Sequence, residues 1–149
     1  MLWLKTFFGI LFQTGLLGIF LYLPALTLNW PEALLFLCIH FSITILASCY
    51  LLIRKPESIQ ARLNYDSKAQ PKEDKLATTL MFSAIIFGLC LAPIDIFHFN
   101  LSPSFEGMAK NIGLCIYIFG LFLFMAAMNS NEFAETTVNI QEERGQKVI

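Results

Sequence analysis

Ala33-Leu-Leu-Phe-Leu-Cys-Ile-His-Phe-Ser-Ile-Thr-Ile-Leu-Ala-Ser-Cys-Tyr-Leu-Leu-Ile53 contains no acidic or basic side chain and stops abruptly at Arg54-Lys55-Pro56. A run of this kind has the roughly 20 residues that a helix needs to cross a bilayer. Three more stretches meet the same requirement: Phe7 to Leu28, Ala77 to Phe97 and Asn111 to Met128. The reading is therefore an all-α polytopic membrane protein with four transmembrane helices. Composition agrees, because 56% hydrophobic residues and 15 Phe in 149 residues exceed what a soluble domain of this size buries. The mean hydropathy of +0.64 points the same way.

The ten basic residues are unevenly placed. Arg54, Lys55, Arg62, Lys68, Lys72 and Lys75 crowd the link between the second and third spans, Lys5 precedes the first, and Arg144 and Lys147 follow the last. Lys110 alone falls in a loop of opposite parity. The positive-inside bias then places both termini and the central loop in the cytoplasm, with the short connections near Asn29 and Ser102 outside. The domain plan is a transmembrane unit over 1-128, with a cytoplasmic loop at about 54-76, and a cytoplasmic tail over 129-149. Clustered basic residues beside spans face anionic head groups, so membrane lipids are expected partners and nucleic acid is not. The amino-terminal run is too long for a signal-peptide core and lacks a small-x-small cleavage site, so the first span is expected to remain.

Local signals sharpen the plan. Pro24 perturbs the end of span one, and Asn29-Trp30-Pro31-Glu32 reads as helix cap, interfacial aromatic, first-turn proline and first-turn acid. Spans one and two are then antiparallel neighbours. At Lys55-Pro56 the proline disfavours helix in the residue before it. Beyond it, Ile59, Leu63 and Tyr65 are isolated apolar positions in a polar stretch, which fits either a short amphipathic helix up to Pro71 or a solvated loop. Gly113, Gly120, Ala126 and Ala127 give span four small residues of the kind that let membrane helices approach closely.

Chemistry-bearing residues are few. Cys38, Cys49, Cys90 and Cys115 lie within spans without paired spacing, so packing is expected and no metal site is assigned, although Cys49 lies near the cytoplasmic end where palmitoylation occurs. Asp95 and His98 are one helical turn apart, but their place at the membrane edge favours an interfacial pair over a catalytic one. His40 lies inside span two, where an imidazole is expected to bond a neighbouring helix, the alternative being a polar group lining a substrate cavity. No Asp, Glu, Lys or Arg occupies the middle of any span and no internal repeat is visible, which argues against an ion-coupled transporter.

The stretches Tyr22-Leu-Pro-Ala-Leu-Thr-Leu-Asn-Trp-Pro-Glu-Ala33, Leu51-Leu-Ile-Arg-Lys-Pro-Glu-Ser58, Asn131-Glu-Phe-Ala134 and Gln141-Glu-Glu-Arg-Gly-Gln-Lys-Val-Ile149 occur in this order around the four spans. Together they resemble the amino-terminal part of the isoprenylcysteine carboxyl methyltransferase family, membrane methyltransferases related to the phospholipid methyltransferases. The resemblance implies an enzyme that uses S-adenosylmethionine to methylate a lipidated cysteine carboxylate or a lipid, with the early helices admitting the substrate from the bilayer. It also implies that Asn131, Gln141, Arg144 and Gly145 form one edge of the cofactor pocket.

In the family, a Gly-Pro-Tyr stretch and an Arg-His-Pro-x-Tyr motif follow and hold most of that pocket. This chain departs from the family there, since neither motif occurs before Ile149. The expectation is therefore a fragment, a split product or a non-catalytic remnant, with no catalytic residue assigned and no cofactor bound by this chain alone. A lipidated substrate or a complementing carboxyl-terminal subunit is the implied partner, and a bacterial inner membrane the expected location. The reading from another class is a non-catalytic four-helix module that binds lipid or a partner subunit.

Overall fold

The computed structural model describes residues 1–63, 72–101 and 107–130. Among them all regular structure is helical: α1 (Leu2–Ala25), α2 (Pro31–Arg54), α3 (Pro56–Leu63), α4 (Lys72–Ile94), which widens into a π-helical turn over Asp95–Phe99, and α5 (Met108–Ser130). α1, α2, α4 with its π turn, and α5 are long and apolar enough to cross a membrane. Their helical form follows from the solvent, because hydrocarbon offers backbone amides no other partner. Large apolar side chains cover the outside, with Leu46 70% and Phe87 66% exposed. In water such a surface is an aggregation liability, whereas in lipid it is the solvated surface.

The helix ends differ from the apolar runs in instructive ways. α1 begins at Leu2 rather than near Phe7, taking Lys5 into its first turns. A lysine stem lies comfortably along apolar surface while its ammonium reaches the interface. The same helix tolerates Pro24 and stops at Leu26, whose φ of 54° is left-handed and whose N–H donates to the Leu23 carbonyl. Asn29 is not the cap of α2; Trp30 occupies that position, and Pro31 is the first helical residue. The Asn29 N–H is held instead by the Thr27 hydroxyl at 3.1 Å. At the other end of α2, Lys55 is non-helical (φ −146°), as the proline after it requires, and α3 starts at Pro56.

α3 realises the amphipathic helix over Pro56–Leu63, but its apolar side faces protein. Ile59 packs with Leu51 and Leu52 of α2 and Met128 of α5, and Leu2 leans on this cluster. Leu63 is exposed, and Tyr65 lies outside the described residues.

The spatial order of the long helices is α4, α1, α2, α5: α1 packs on both α2 and α4, while α5 packs on α2. Gly18 lies on the seam between α1 and α2, where a Cβ would stand in ordinary van der Waals contact with Leu37 Cδ1, at 3.5 Å. The small-residue face of α5 does not behave this way. A Cβ at Gly113 or Gly120 would meet nothing within 4 Å. Small residues permit an approach without compelling one, and no helix among the described residues uses that face.

Candidate functional site

Along α2 the buried positions Ala33, His40 and Ala47 recur every seven residues, about two turns, and Leu51 extends this stripe by one turn. His40 is 5% exposed. Its Nδ1 shares a 2.5 Å hydrogen bond with the Tyr117 hydroxyl of α5. Phe36, one turn earlier, lies 4.7 Å from the Tyr117 ring and stacks over the imidazole at 6.4 Å and 20°. An imidazole bonding a neighbouring helix is what the sequence leads one to expect, and Nδ1 fulfils it. Nε2 does not, because it is buried and has no hydrogen-bond partner. Thr14 Oγ1 on α1 is in the same condition.

Sequence reasoning missed Tyr117. It sits between Gly113 and Gly120 in an aromatic-rich span, and only pairing α5 with α2 reveals that its hydroxyl faces His40. Polar side chains in hydrocarbon seek one another across helices, and that is the signal that would have joined them.

The two ends of the assembly are pinned by other contacts. At the end carrying α3, Lys55 Nζ donates to the Asn129 carbonyl at 2.6 Å, tying the exit of α2 to the last turn of α5. Ser58 beside it is 1% exposed, and its hydroxyl has no partner. At the opposite end, Lys110 reaches Glu32 at 3.2 Å and links the first turns of α5 and α2. The single basic residue on that side thus has an acidic partner.

Asp95 and His98 do not form a pair. Asp95 Oδ1 accepts from the Leu101 N–H at 2.7 Å, and His98 Nε2 donates to the Pro24 carbonyl at 2.8 Å. The π turn that holds them ends at Asn100, whose φ is 50° and whose N–H reaches back to the Asp95 carbonyl. Trp30 completes the junction, with its ring edge-on to both Tyr22 and Phe97 at 6.3 and 5.2 Å. The Tyr22 hydroxyl donates to the Trp30 carbonyl. Both ionisable groups therefore fasten the π turn and the α1 terminus.

Cys38 and Cys115 are exposed on helix surfaces, and Cys49 and Cys90 are partly buried, so the packing expected of all four holds at most for two. Among the described residues no three His, Cys, Asp or Glu side chains come together as a metal site. Asn131, Gln141, Arg144 and Gly145 lie outside the described residues, as does the whole tail after Ser130. An open groove of about 450 Å³ runs along α1 past Gly15, Gly18, Ile19 and Tyr22 to Leu23 and Leu28. Its lining suits an alkyl or prenyl chain.

No protein-family model matches the chain, and no curated protein or solved structure matches it. Four helices of membrane-crossing length and an intramembrane His40–Tyr117 contact define it as a helical, membrane-embedded type of protein.

Proposed function

We propose that the chain is the membrane-embedded amino-terminal part of an S-adenosylmethionine-dependent methyltransferase resembling the isoprenylcysteine carboxyl methyltransferases. In this reading it holds a lipidated cysteine or a lipid, while a carboxyl-terminal region or complementing subunit brings the methyl donor. The reaction is an in-line displacement in which a carboxylate oxygen takes the methyl group from the sulfonium sulfur, leaving a thioether. It needs a held cofactor and an oriented acceptor more than it needs acid–base groups. Both termini and the α3 segment face the cytoplasm of a bacterial inner membrane.

The observation that carries the reading is the turn at Arg54-Lys55-Pro56, part of the stretch that resembles the family. It folds α3 back so that Ile59 closes over the ends of α2 and α5, at the same end from which residue 131 continues. The apolar groove on α1 begins at Gly15, about 20 Å along the helix from that end, and runs away from it to Leu28, so the closure by Ile59 carries the reading without the groove.

A photoactivatable farnesylcysteine tests this on the chain in lipid nanodiscs. Labelling of α1 that farnesylcysteine competes away, and phospholipid does not, is the expected result. Labelling spread evenly over all lipid-facing helices would overturn substrate binding. It would favour the non-catalytic module, a reading supported by the way α5 leans on α2 and leaves the face around Gly113 and Gly120 open to a partner.

A further inference from the structure

Where α3 folds back beside the start of α1, the two helices leave a cavity of about 200 Å³ lined by Met1, Leu2, Lys5, Gln60 and Leu63. Its walls are held in place, because Leu2 leans on the cluster in which Ile59 of α3 meets Leu51, Leu52 and Met128. The side chains that can donate into it are the ammonium of Lys5 and the carboxamide of Gln60. No acidic side chain lines it, and Glu57, one turn before Gln60 on α3, is exposed and outside the lining. Two other lysines are engaged, Lys55 by the Asn129 carbonyl and Lys110 by Glu32. Lys5 has no such partner among the described residues.

Depth narrows the occupant. α1 has 24 residues and is about 36 Å long against ~30 Å of hydrocarbon, so its first turn stands in the head-group layer. A cation beside an amide donor is matched by a negatively charged acceptor, and the anion that a membrane places at this depth is the phosphodiester of a phospholipid. Free phosphate offers the same oxygens, but it would leave the apolar walls wet, with Met1 90% and Leu63 41% exposed. A phospholipid covers them with its glycerol ester and first methylenes while its phosphate reaches Lys5 and Gln60.

We infer that this cavity binds the head group of one anionic phospholipid, with one phosphate oxygen on the Lys5 ammonium, another on the Gln60 amide, and the ester region against Leu2 and Leu63. A lipid held there ties the start of α1 to α3 and so stabilises the fold-back of α3. The site rests on the membrane-embedded fold alone and is independent of the methyl-transfer reading.

The test titrates the full chain in neutral detergent with phosphatidylglycerol, following lipid retention by native mass spectrometry and the shift in thermal midpoint. Phosphatidylcholine, diacylglycerol and inorganic phosphate form parallel arms. Phosphatidylglycerol should saturate at one molecule per chain and raise the midpoint, the two uncharged lipids should bind more weakly, and inorganic phosphate should leave the midpoint where it was. Lys5→Gln should lower the affinity about fivefold, the factor that one lysine contributes near an anionic surface. Gln60→Leu should lower it about twofold or more, through the lost hydrogen bond. Lys110→Gln, an equal change of charge at the opposite end, should leave it unaltered. Helical circular dichroism checks that each variant folds. Equal binding of phosphatidylcholine or diacylglycerol, an equal midpoint shift from inorganic phosphate, or unchanged affinity in both Lys5→Gln and Gln60→Leu would each overturn the site.

Discussion

His40 on α2 and Tyr117 on α5 each sit nine residues into their helices, and the 2.5 Å hydrogen bond between them is the polar contact that joins these helices in mid-span. The ends are joined separately, by Lys110 to Glu32 and by Lys55 to the Asn129 carbonyl. These polar ties hold a helix whose apolar surface is mostly turned outward.

Tyr117→Phe removes the central tie and leaves Nδ1 of a buried imidazole unmet. Interhelical hydrogen bonds in lipid are worth about 0.6 and at most ~1.7 kcal/mol. A loss within that range is expected in reversible SDS unfolding, with Phe36→Leu as a control that keeps the bond. No change in Tyr117→Phe would mean that the hydroxyl contributes nothing to α5 docking.

Gly18→Leu and Gly120→Leu should behave oppositely. The first places a branched side chain where even a Cβ stands 3.5 Å from Leu37, and overpacking of this kind costs about 1 to 3 kcal/mol. The second projects into open space, so its thermal midpoint should equal that of the unsubstituted chain. A marked loss at Gly120 would reveal a neighbour on that face, either the tail or another chain.

Lys55→Met cuts the tie between the α2 exit and the last turn of α5 while preserving most of the stem. Faster hydrogen exchange over residues 124–130, with exchange over 108–116 unaltered, is the expected signature. Uniform protection throughout α5 would show that the Ile59–Met128 packing suffices at that end.

The one-sided distribution of nine of the ten basic residues predicts the topology. Reporters fused after Ile149 and inserted near Ser67 should both signal the cytoplasm, and one near Ser102 the opposite side. A lumenal or periplasmic signal from either of the first two would sink the four-span arrangement.

The purified chain alone should show neither S-adenosylmethionine binding by calorimetry nor methyl transfer to a prenylcysteine or a phospholipid amine. Each hydrogen bond lost to a charged ligand group removes roughly 1.5 to 3 kcal/mol. Three such losses weaken binding by about a thousandfold or more. Micromolar affinity would move attention to Asn131, Gln141 and Arg144.

The spans were legible because hydropathy and length are local properties. The break at Lys55-Pro56 was legible because proline acts on its immediate neighbour. Helix ends were less so: Lys5 and Lys72 belong to helices that an apolar-run reading starts later, since helical hydrogen bonding continues through a charged turn at the interface. Asn29 carries the cap residue type, yet Trp30 occupies the cap, because Pro31 is the first helical residue and the cap is the residue before it. What one sequence could not supply is partnership between distant segments. That Gly113 and Gly120 face open space, that Asp95 and His98 serve different partners, and that Tyr117 completes His40 all depend on which helix lies beside which.

The order α4, α1, α2, α5 differs from the order in which the helices are made, and this bears on biogenesis. α1 and α2 leave the ribosome first, and their short hairpin and Gly18 contact give them a native interface at once. α4 can dock on α1 as soon as it enters the bilayer. Among the described residues α5 packs chiefly on α2 rather than on α4, the helix made just before it, and must travel to the far flank of the hairpin to reach it. Its docking therefore comes after the other three long helices are in the bilayer.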